Sequence, residues 1–277
     1  MTDGTLATAD QPRRVARPSR TVITVDPPHH DARPTEMKRL IVTIDGPAGT
    51  GKSSVARDLA HRLGLEFLDT GAMYRAATAL AIDRGVSLRD DHAISQLVRD
   101  ADLRFDWETD PPTLLARGKS VMHRLRDRDV NESVSPVSLL AGVRRVLVES
   151  QRRIGEAHPR LVSEGRDQGS VVFFDAEVKF YLDAGQRVRA ERRAVQLRAM
   201  GHDADIDEIE RQIAERDFRD STRDIAPLIC PEDAFVIDTS SMKQDEVVDR
   251  LIEIIREQVG DAVLHDQRPP SHDALQQ

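Results

Sequence analysis

Eight residues, Gly46 to Ser53, constrain the fold of this chain more than any other stretch: they read GPAGTGKS and fit the pattern G-x-x-x-x-G-K-S. A continuous apolar run at 39–45 precedes them, and apolar residues recur four positions apart at 53–63. Gly64 then stands where a glycine commonly ends a helix. A buried strand, a glycine-rich turn and an amphipathic helix in this order are typical of a parallel α/β sheet.

Four more apolar runs predict the other strands of that sheet, because they are nearly continuous, as strands buried on both faces are. They lie at 65–69, 160–164, 178–183 and 234–239. Helical patterns lie between or after them, at 72–84, 135–157, 186–201, 206–224 and 243–259. We therefore predict the α/β class, with a five-stranded parallel sheet covered by helices on both faces.

One region, 100–135, interrupts this alternation, and it contains the single tryptophan, Trp107. Its alternating and turn-like pieces predict a small insertion of two or three antiparallel strands, with a long, partly ordered loop as the alternative. The ends of the chain, 1–37 and 261–277, are rich in proline and polar residues, and we expect both to be disordered. The folded domain is therefore predicted at 38–260.

Charge and composition exclude several classes of protein. The net charge of -8 argues against a general nucleic-acid binder. The single cysteine, Cys230, allows neither an internal disulfide nor a four-cysteine zinc site, and it fits a reducing compartment. No apolar run approaches the roughly 20 residues of a membrane span, and the N-terminus lacks the apolar stretch of a signal peptide. We expect a cytoplasmic monomer without membrane or nucleic-acid partners.

The glycine-rich segment has the chemistry of a phosphate-binding loop. Its glycines let backbone N–H groups turn toward phosphate oxygens, and the helix that follows adds a favourable dipole. Lys52 supplies a positive charge for the terminal phosphates of a nucleotide, and Ser53 offers a hydroxyl to Mg²⁺. Asp45, just before the loop, is open between a metal-binding role and a strand-end acid that caps a turn.

Polar residues after the strand at 65–69 are the first candidates for a second substrate site. Thr70 is a candidate helix cap. Arg75 stands in the first turns of the helix that follows, and taken alone it would be a solvated surface charge. Because the carboxyl ends of parallel strands face a ligand crevice, Arg75 becomes a candidate phosphate ligand.

The segment VSEGRDQGS, at 162–170, ends another predicted strand and opens on the same crevice. Glu164 occupies a position where phosphate-loop enzymes often keep an acid near the metal. Arg166 can hold a phosphate through two hydrogen bonds, and Asp167 can accept from an exocyclic amine. A purely structural pair between Arg166 and Asp167 is the alternative.

An arginine-rich region follows. Arg189 and Arg192 precede a predicted loop, and Arg216, Asp220 and Arg223 recur on one helical face. Arginines on a lid that closes over the transferred phosphate would stabilise its charge and exclude water. The alternative is an exposed helix whose charges are balanced by its own acidic residues.

Several of these motifs together resemble the bacterial cytidylate kinases, a family of nucleoside monophosphate kinases with the P-loop kinase fold. The matching stretches are IDGPAGTGKSS, LDTGAMYRA, EGRDQGSVVFFDAEVKFYLDA, ERR, RDFRDSTRDIAPL and PEDAFVIDTS, in that order, and the resemblance spans about 40–255. The resemblance implies transfer of the γ-phosphoryl group of ATP to CMP or dCMP with Mg²⁺. It also implies that 100–135 is an insertion on the monophosphate side and that about 189–223 is a lid.

The resemblance assigns roles to individual residues, with Mg²⁺ held through ATP near Ser53. The ATP-binding residues that it implies are Gly46, Pro47, Ala48, Gly49, Thr50, Gly51, Lys52, Ser53 and Ser54. The CMP-binding residues that it implies are Thr70, Arg75, Ser135, Arg144, Arg166, Asp167, Arg216 and Asp220. The implied catalytic residues are Lys52, Arg166, Arg189, Arg192 and Arg223.

The chain departs from the family pattern at Gln168, where methionine is usual, and at Phe174, where proline is usual. Both positions are interpreted as packing or turn positions. Other functions remain open at this point: a P-loop kinase for AMP, UMP, dTMP or a non-nucleotide such as shikimate, or a nucleotide-binding switch. A switch is disfavoured because it has no use for an arginine-lined second pocket, and no N-K-x-D guanine-reading motif occurs.

Overall fold

The computed structural model describes residues 38–199 and 201–264. The segments 1–37 and 265–277, for which we expect disorder, lie outside the described residues. The strands are β1 (Leu40–Asp45), β2 (Glu66–Asp69), β3 (Arg104–Asp106), β4 (Thr113–Ala116), β5 (Lys119–Ser120), β6 (Arg160–Glu164), β7 (Val178–Asp183) and β8 (Phe235–Asp238). The helices are α1 (Lys52–Leu63), α2 (Thr70–Asp83), α3 (Asp91–Ala101), α4 (Arg128–Val137), α5 (Ala141–Ala157), α6 (Gln186–Ala199), α7 (Ile206–Thr222), α8 (Gln244–Val259) and α9 (Asp261–Leu264), with a π-helical turn at Gln168–Val172.

Five strands form a parallel sheet in the order β2-β6-β1-β7-β8, which confirms the predicted architecture. The central strand, β1, pairs with β6 on one side and β7 on the other. Ile41 of β1 packs into one core, with residues of α2 and α5, whereas Leu40, Val42 and Ile44 pack into a second core, with residues of α1 and α8. Burial on both faces explains why the strands are continuous apolar runs.

The single helix predicted at 135–157 is wrong, because the chain forms α4 and α5 with a break at 138–140. The carboxylate of Asp91 accepts hydrogen bonds from the backbone N–H groups of Gly142, at 2.8 Å, and Val143, at 3.0 Å, and so caps the start of α5. Asp91 belongs to α3, a helix that the sequence analysis did not predict. Local periodicity cannot show a cap that a distant segment supplies.

The insertion contains a three-stranded antiparallel sheet in the order β3-β4-β5, which confirms the predicted strands. The region does not remain strand-like to residue 135, because α4 already begins at Arg128. Trp107 contacts Phe105 and His158 through its ring, with ring centroids 5.4 Å and 4.6 Å apart. The insertion is thereby packed against the end of α5.

The C-terminal part of the described chain is tied to the sheet by Arg160, the first residue of β6. Its guanidinium donates to the backbone oxygens of Val263, at 2.9 Å, Leu264, at 3.2 Å, and Lys38, at 3.3 Å. Residues 261–264, expected to be disordered, instead form α9. None of the helices within 38–199 and 201–264 is long and apolar enough to cross a membrane.

Candidate functional site

The loop between β1 and α1 requires glycine at its first position. Gly46 has φ of 140°, and a Cβ atom there would lie 2.0 Å from the backbone oxygen of Leu182 in β7. Gly49 and Gly51 also have positive φ, at 83° and 90°. These conformations are available to glycine and strained for other residues, so the glycines of the motif are explained by the backbone they must form.

Inside the loop, the Nζ of Lys52 donates a hydrogen bond of 2.6 Å to the backbone oxygen of Pro47. Thr50 also donates to that oxygen through its hydroxyl, at 3.3 Å. The backbone from Gly46 to Gly51 therefore wraps around the ammonium group of Lys52. Lys52, Ser53 and Ser54 lie in the first turn of α1. The structure brings the predicted ATP-binding residues together at the start of a helix.

Glu164, the last residue of β6, faces this loop. Its Oε2 accepts a hydrogen bond of 3.0 Å from the hydroxyl of Ser53, and its Oε1 lies 4.0 Å from the Nζ of Lys52. Burial, and then the charge of Arg166, lower the pKa of Lys52, while burial raises the pKa of Glu164. An anion bound at the loop would oppose both effects on Lys52 by favouring its charged form.

Asp45 is a turn cap. Its carboxylate is 1% exposed and accepts hydrogen bonds from the backbone N–H groups of Gln168, at 2.9 Å, and Gly169, at 2.7 Å. Desolvation raises the pKa of Asp45 to about 7 despite these bonds. Because both oxygens are engaged by the protein backbone, the geometry supports the turn-capping alternative over a metal-binding role.

The predicted helix cap at Thr70 is wrong, since α2 begins one residue earlier than expected for that role. Asp69 is the N-cap, and its carboxylate accepts from the N–H of Ala72 at 2.9 Å. The hydroxyl of Thr70 instead donates to the backbone oxygen of Glu164 at 2.7 Å, which joins the start of α2 to the end of β6. A strand-end sequence of adjacent aspartate and threonine offers two candidate caps, and the pattern alone does not choose between them.

Arg75 lies one turn into α2, and its guanidinium approaches Gly71. A Cβ atom on Gly71 would lie 2.9 Å from the guanidinium nitrogen of Arg75. Within the described part of the chain, Arg75 has no salt-bridge partner, and its charge helps to lower the pKa of Arg216. The charge of Arg75 therefore belongs to the same cationic cluster as that of Arg216.

Arg166 and Asp167 are neighbours in sequence, but they do not pair with each other. Arg166 pairs with Asp220, at 3.2 Å between Nε and Oδ2. Asp167 forms a buried ion pair with Arg144, both side chains being 5% exposed or less. The alternative of a structural ion pair between Arg166 and Asp167 is therefore not what the structure shows. Each of the two residues instead forms an ion pair with a residue of another helix.

Arg216 of α7 and Arg223, which follows the end of α7, lie near the same acid. The predicted helix to residue 224, with Arg216, Asp220 and Arg223 on one face, is wrong for Arg223, because α7 ends at Thr222 and the backbone of Arg223 is extended. The Nε of Arg216 is 3.9 Å from Asp220, and desolvation together with the charge of Arg166 lowers the pKa of Arg216 to about 10. Arg223 donates to the backbone oxygen of Ala226 at 2.5 Å, and desolvation, followed by the charge of Arg144, lowers its pKa. Mutual repulsion among these cations favours a bound anion.

Ser135 and Arg144 come together at the break between α4 and α5. The backbone oxygen of Ser135 accepts from the hydroxyl of Ser138, at 2.7 Å, and the oxygen of Ser138 accepts from Arg144, at 3.1 Å. The guanidinium of Arg144 also lies 5.5 Å from the centre of the Tyr74 ring. From the first turn of α5, Arg144 also forms its ion pair with Asp167.

Two of the predicted catalytic arginines hold the protein backbone. Arg189 is 3% exposed and donates to the oxygens of Ala48 and Ala184, both at 2.9 Å, and to the carboxylate of Asp217, at 2.5 Å. Arg192 donates to Thr239 through its backbone and hydroxyl oxygens. Arg189 thus hydrogen-bonds the backbone of the phosphate loop, and Arg192 hydrogen-bonds the residue that follows β8. Both arginines therefore support the backbone around the loop.

Two residues of the site, Asp217 and Gln168, have no functional role predicted from the sequence. Asp217 accepts from the N–H of Ala48 at 3.4 Å and pairs with Arg189. Gln168 is fully buried, accepts from Ser163 at 2.8 Å and donates to Asp167 at 3.4 Å. The available signals were the acid of the RDFRD segment and the unusual polar residue beside Asp167.

Comparison with known proteins identifies the family. The family model described as cytidylate kinase matches residues 42–257. The chain belongs to the cytidylate kinase family. It is 43% identical to the cytidylate kinase of Carboxydothermus hydrogenoformans, over 77% of this chain and 96% of that protein, and 44% identical to that of Rhodococcus opacus, over 80% and 96%. A shikimate kinase structure from Bacteroides thetaiotaomicron is 13% identical, with a TM-score of 0.40 over 79% of this chain and 99% of that chain.

Proposed function

We propose that this protein transfers the γ-phosphoryl group of ATP to CMP or dCMP and releases ADP and CDP or dCDP. The observation that carries the proposal is the pairing of two subsites: a phosphate loop closed around Lys52, and a cluster of arginines from three elements, Arg166 after the adjacent strand β6, Arg75 of α2 and Arg216 of α7. Membership of the cytidylate kinase family supports the choice of substrates.

The donor subsite is the turn from Gly46 to Ser54. Its backbone N–H groups and the start of α1 favour the β and γ phosphates of ATP, and Lys52 adds a positive charge. Arg189 and Arg192 support the shape of this turn and of the neighbouring backbone, through Ala48 and Thr239. We assign them this supporting role, whereas Lys52 is the group that would contact phosphate.

The acceptor subsite contains Arg75, Arg166 and Arg216, which would hold the phosphate of CMP between them. Arg223 adds a further positive charge. On the base side, Asp167 accepts hydrogen bonds and Arg144 donates them, and these are complementary to the exocyclic amine and the ring acceptors of cytosine. Ser135 would contribute on the same side, since its backbone oxygen accepts from Ser138, whose own backbone oxygen accepts from Arg144. Asp220 orients Arg166 and Arg216 through its carboxylate, and Thr70 ties the acceptor subsite to β6.

Mg²⁺ accompanies ATP in the proposed reaction. The donor set fits it, because the hydroxyl of Ser53 and the carboxylate of Glu164 are 3.0 Å apart at the mouth of the loop and both offer oxygen ligands. No group of three or more histidine, cysteine or acidic residues within 38–199 and 201–264 could hold a metal alone, which suits an ion bound mainly through nucleotide phosphates. The ion would neutralise phosphate charge and orient the two terminal phosphates.

The chain's own part in the reaction is positioning and charge stabilisation. The two loops would place a phosphate oxygen of CMP in line with the γ phosphorus of ATP, so no covalent intermediate with the protein is needed. Lys52, Arg166 and Arg223 would stabilise the charge that spreads over the transferred group. The paired helices α6 and α7 would close over the site as a lid and exclude water, which otherwise accepts the phosphoryl group.

The remaining proposals concern the state of the protein. We propose a monomer in the cytoplasm, where the exposed thiol of Cys230 would stay reduced. A mass measurement in solution tests the oligomeric state.

The test of the function is ADP release in a coupled assay with ATP, Mg²⁺ and a panel of CMP, dCMP, UMP, AMP, GMP and dTMP. We expect turnover to be led by CMP and dCMP, and Arg166→Ala to reduce it by about 100-fold. Arg193→Ala is the matched control, because Arg193 is exposed and, among the residues that the structure describes, its guanidinium donates to the side chain of Gln196, at 3.3 Å.

Preference for another monophosphate would keep the kinase and reject the assignment of Asp167 and Arg144 to the base. Turnover of none of the panel would reject the proposed function in favour of a non-nucleotide acceptor or a nucleotide switch. Thermal protection by CMP without ATP separates the proposed kinase from a switch, since a switch has no acceptor site for CMP.

A further inference from the structure

The end of β1 holds both of the loops that make up the proposed site. Asp45 is the last residue of β1, and the phosphate loop begins at the next residue, Gly46. The two oxygens of Asp45 accept the N–H groups of Gln168 and Gly169, at 2.9 Å and 2.7 Å. One residue earlier, the backbone oxygen of Ile44 accepts the N–H of Gly165 at 3.1 Å.

These bonds enclose the Arg166–Asp167 dipeptide. Gly165 is bound to β1 immediately before it, and Gln168 and Gly169 are bound to β1 immediately after it. The acceptor loop is therefore fixed to the root of the phosphate loop on both sides of its two functional side chains.

The contact is close as well as hydrogen bonded. A Cβ atom on Gly169 would lie 2.8 Å from the hydroxyl oxygen of Thr43 and 3.4 Å from Oδ2 of Asp45, so the loop backbone rests directly on the strand. After the contact, the N–H groups of Val171 and Val172 donate to the backbone oxygen of Asp167, at 2.9 Å and 3.2 Å. Backbone hydrogen bonds therefore hold the acceptor loop both before and after the residues that bind the Asp45 carboxylate.

We propose that Asp45 is a positioning residue that sets the distance between the phosphate loop and the acceptor loop. The inference rests on the proposed function, in which the two loops carry the donor and the acceptor of the phosphoryl group. Transfer needs the reacting atoms about 3–3.5 Å apart and in line, and a misplacement of about 1 Å can cost about 100-fold in rate. Asp45 acts through the backbone of the acceptor loop.

Only a carboxylate can accept from both N–H groups. An asparagine at this position accepts one of them with its oxygen and turns its own NH2 donor toward the other. The groups that face Asp45 are Asp167, Lys52 and, farther away, Cys230. Burial raises the pKa of Asp45 to about 7, so at pH 8 the ionised form that accepts both bonds predominates.

The test is Asp45→Asn, measured at pH 8 in a single turnover with ATP, Mg²⁺ and CMP, together with ATP hydrolysis in the absence of CMP. We expect transfer to CMP to fall by about 10- to 100-fold, while the ATP and CMP concentrations that give half the maximal transfer rate, and the rate of ATP hydrolysis, stay within about threefold. A defect in alignment affects transfer alone, whereas a damaged phosphate loop affects hydrolysis too.

Asp90→Asn is the control, since the Asp90 carboxylate also accepts a backbone N–H group, that of Ala93 at the start of α3, away from both subsites. It makes the same chemical change outside the contact between the two loops, and we expect its transfer rate to stay within about threefold of wild type. Gly169→Ala is a second probe, because its methyl group would push the acceptor loop off Thr43. It should reproduce the loss of transfer with unchanged hydrolysis if Asp45→Asn does not fold.

Three results would overturn the inference. The first is wild-type transfer in folded Asp45→Asn, and the second is a parallel loss of transfer and hydrolysis in Asp45→Asn or Gly169→Ala. The third is a wild-type protein that hydrolyses ATP but phosphorylates no monophosphate, and in that case the proposed function fails first. Transfer by the wild type with no effect in either variant leaves the function standing and rejects the role of Asp45.

Discussion

Replacing Arg144 with methionine should destabilise the folded protein by about 3 kcal/mol, because the change leaves the carboxylate of Asp167 buried without its cation. Both side chains of this ion pair are buried, at 4% and 5% exposure. Methionine keeps most of the unbranched stem of arginine, so the lost charge outweighs the lost packing.

The magnitude follows from the surroundings of Asp167. Breaking a buried ion pair by removing one partner costs about 3–5 kcal/mol. The lower end applies here, since Asp167 keeps a hydrogen bond of 3.4 Å from the side chain of Gln168 and lies near the charge of Arg223. Against a total stability of about 5–15 kcal/mol for a folded protein, the loss is large enough to measure easily.

The assay is urea unfolding followed by circular dichroism, with the free energy extrapolated to water. Arg128→Met is the control, because Arg128 pairs with Glu132 on the surface and should contribute less than about 1 kcal/mol. The double variant Arg144→Met with Asp167→Asn removes the orphaned charge and should recover at least half of the loss. An Arg144→Met protein within about 1 kcal/mol of wild type, or a double variant no more stable than the single one, would refute the reasoning.

Three further predictions concern the donor loop and the residue beside Asp167. Burial and neighbouring arginines lower the pKa of Lys52 in the free protein, and a bound phosphate would raise it again. ATP binding at pH 8 should therefore take up a proton, which calorimetry in buffers of different ionisation heat measures. Lys52→Met should abolish this proton uptake. Gly46→Ala should cost about 3 kcal/mol or more in urea unfolding, since its methyl group would overlap the backbone oxygen of Leu182; a stability equal to wild type would contradict the strain. Gln168→Met should cost about 1 kcal/mol by losing the hydrogen bond from Ser163, and Ser163→Ala in the same background should then add little.

The sheet could be predicted from the sequence because its central strands, β1, β6 and β7, are buried on both faces over most of their length, and such strands are runs of apolar residues. The phosphate loop could be predicted for a similar reason: Gly46 and its neighbours are required by the backbone, whatever the rest of the chain does. The strands and the phosphate loop each depend on a short stretch of neighbouring residues, so local sequence patterns are sufficient to predict them.

The acceptor side could be located but its pairing could not be predicted. Arg166 and Asp167 stand side by side in the sequence, yet each pairs with a residue of another helix, Asp220 or Arg144. The break before α5 depends in the same way on Asp91. Ion-pair partners and helix caps that come from distant elements produce no periodic pattern in the local sequence. Arg144 was predicted from the family resemblance, because local patterns did not indicate it.

The hydrogen bonds of Arg160 have a consequence for engineering. Its guanidinium joins Lys38, at the start of β1, to Val263 and Leu264 at the other end of the described chain. Both ends of the core therefore meet beside the amino end of β6, while the substrate loops leave from the carboxyl ends of the strands. A short linker could join these ends in a circular permutant, and tags or partner domains fused at either one would leave the path of nucleotides into the crevice clear.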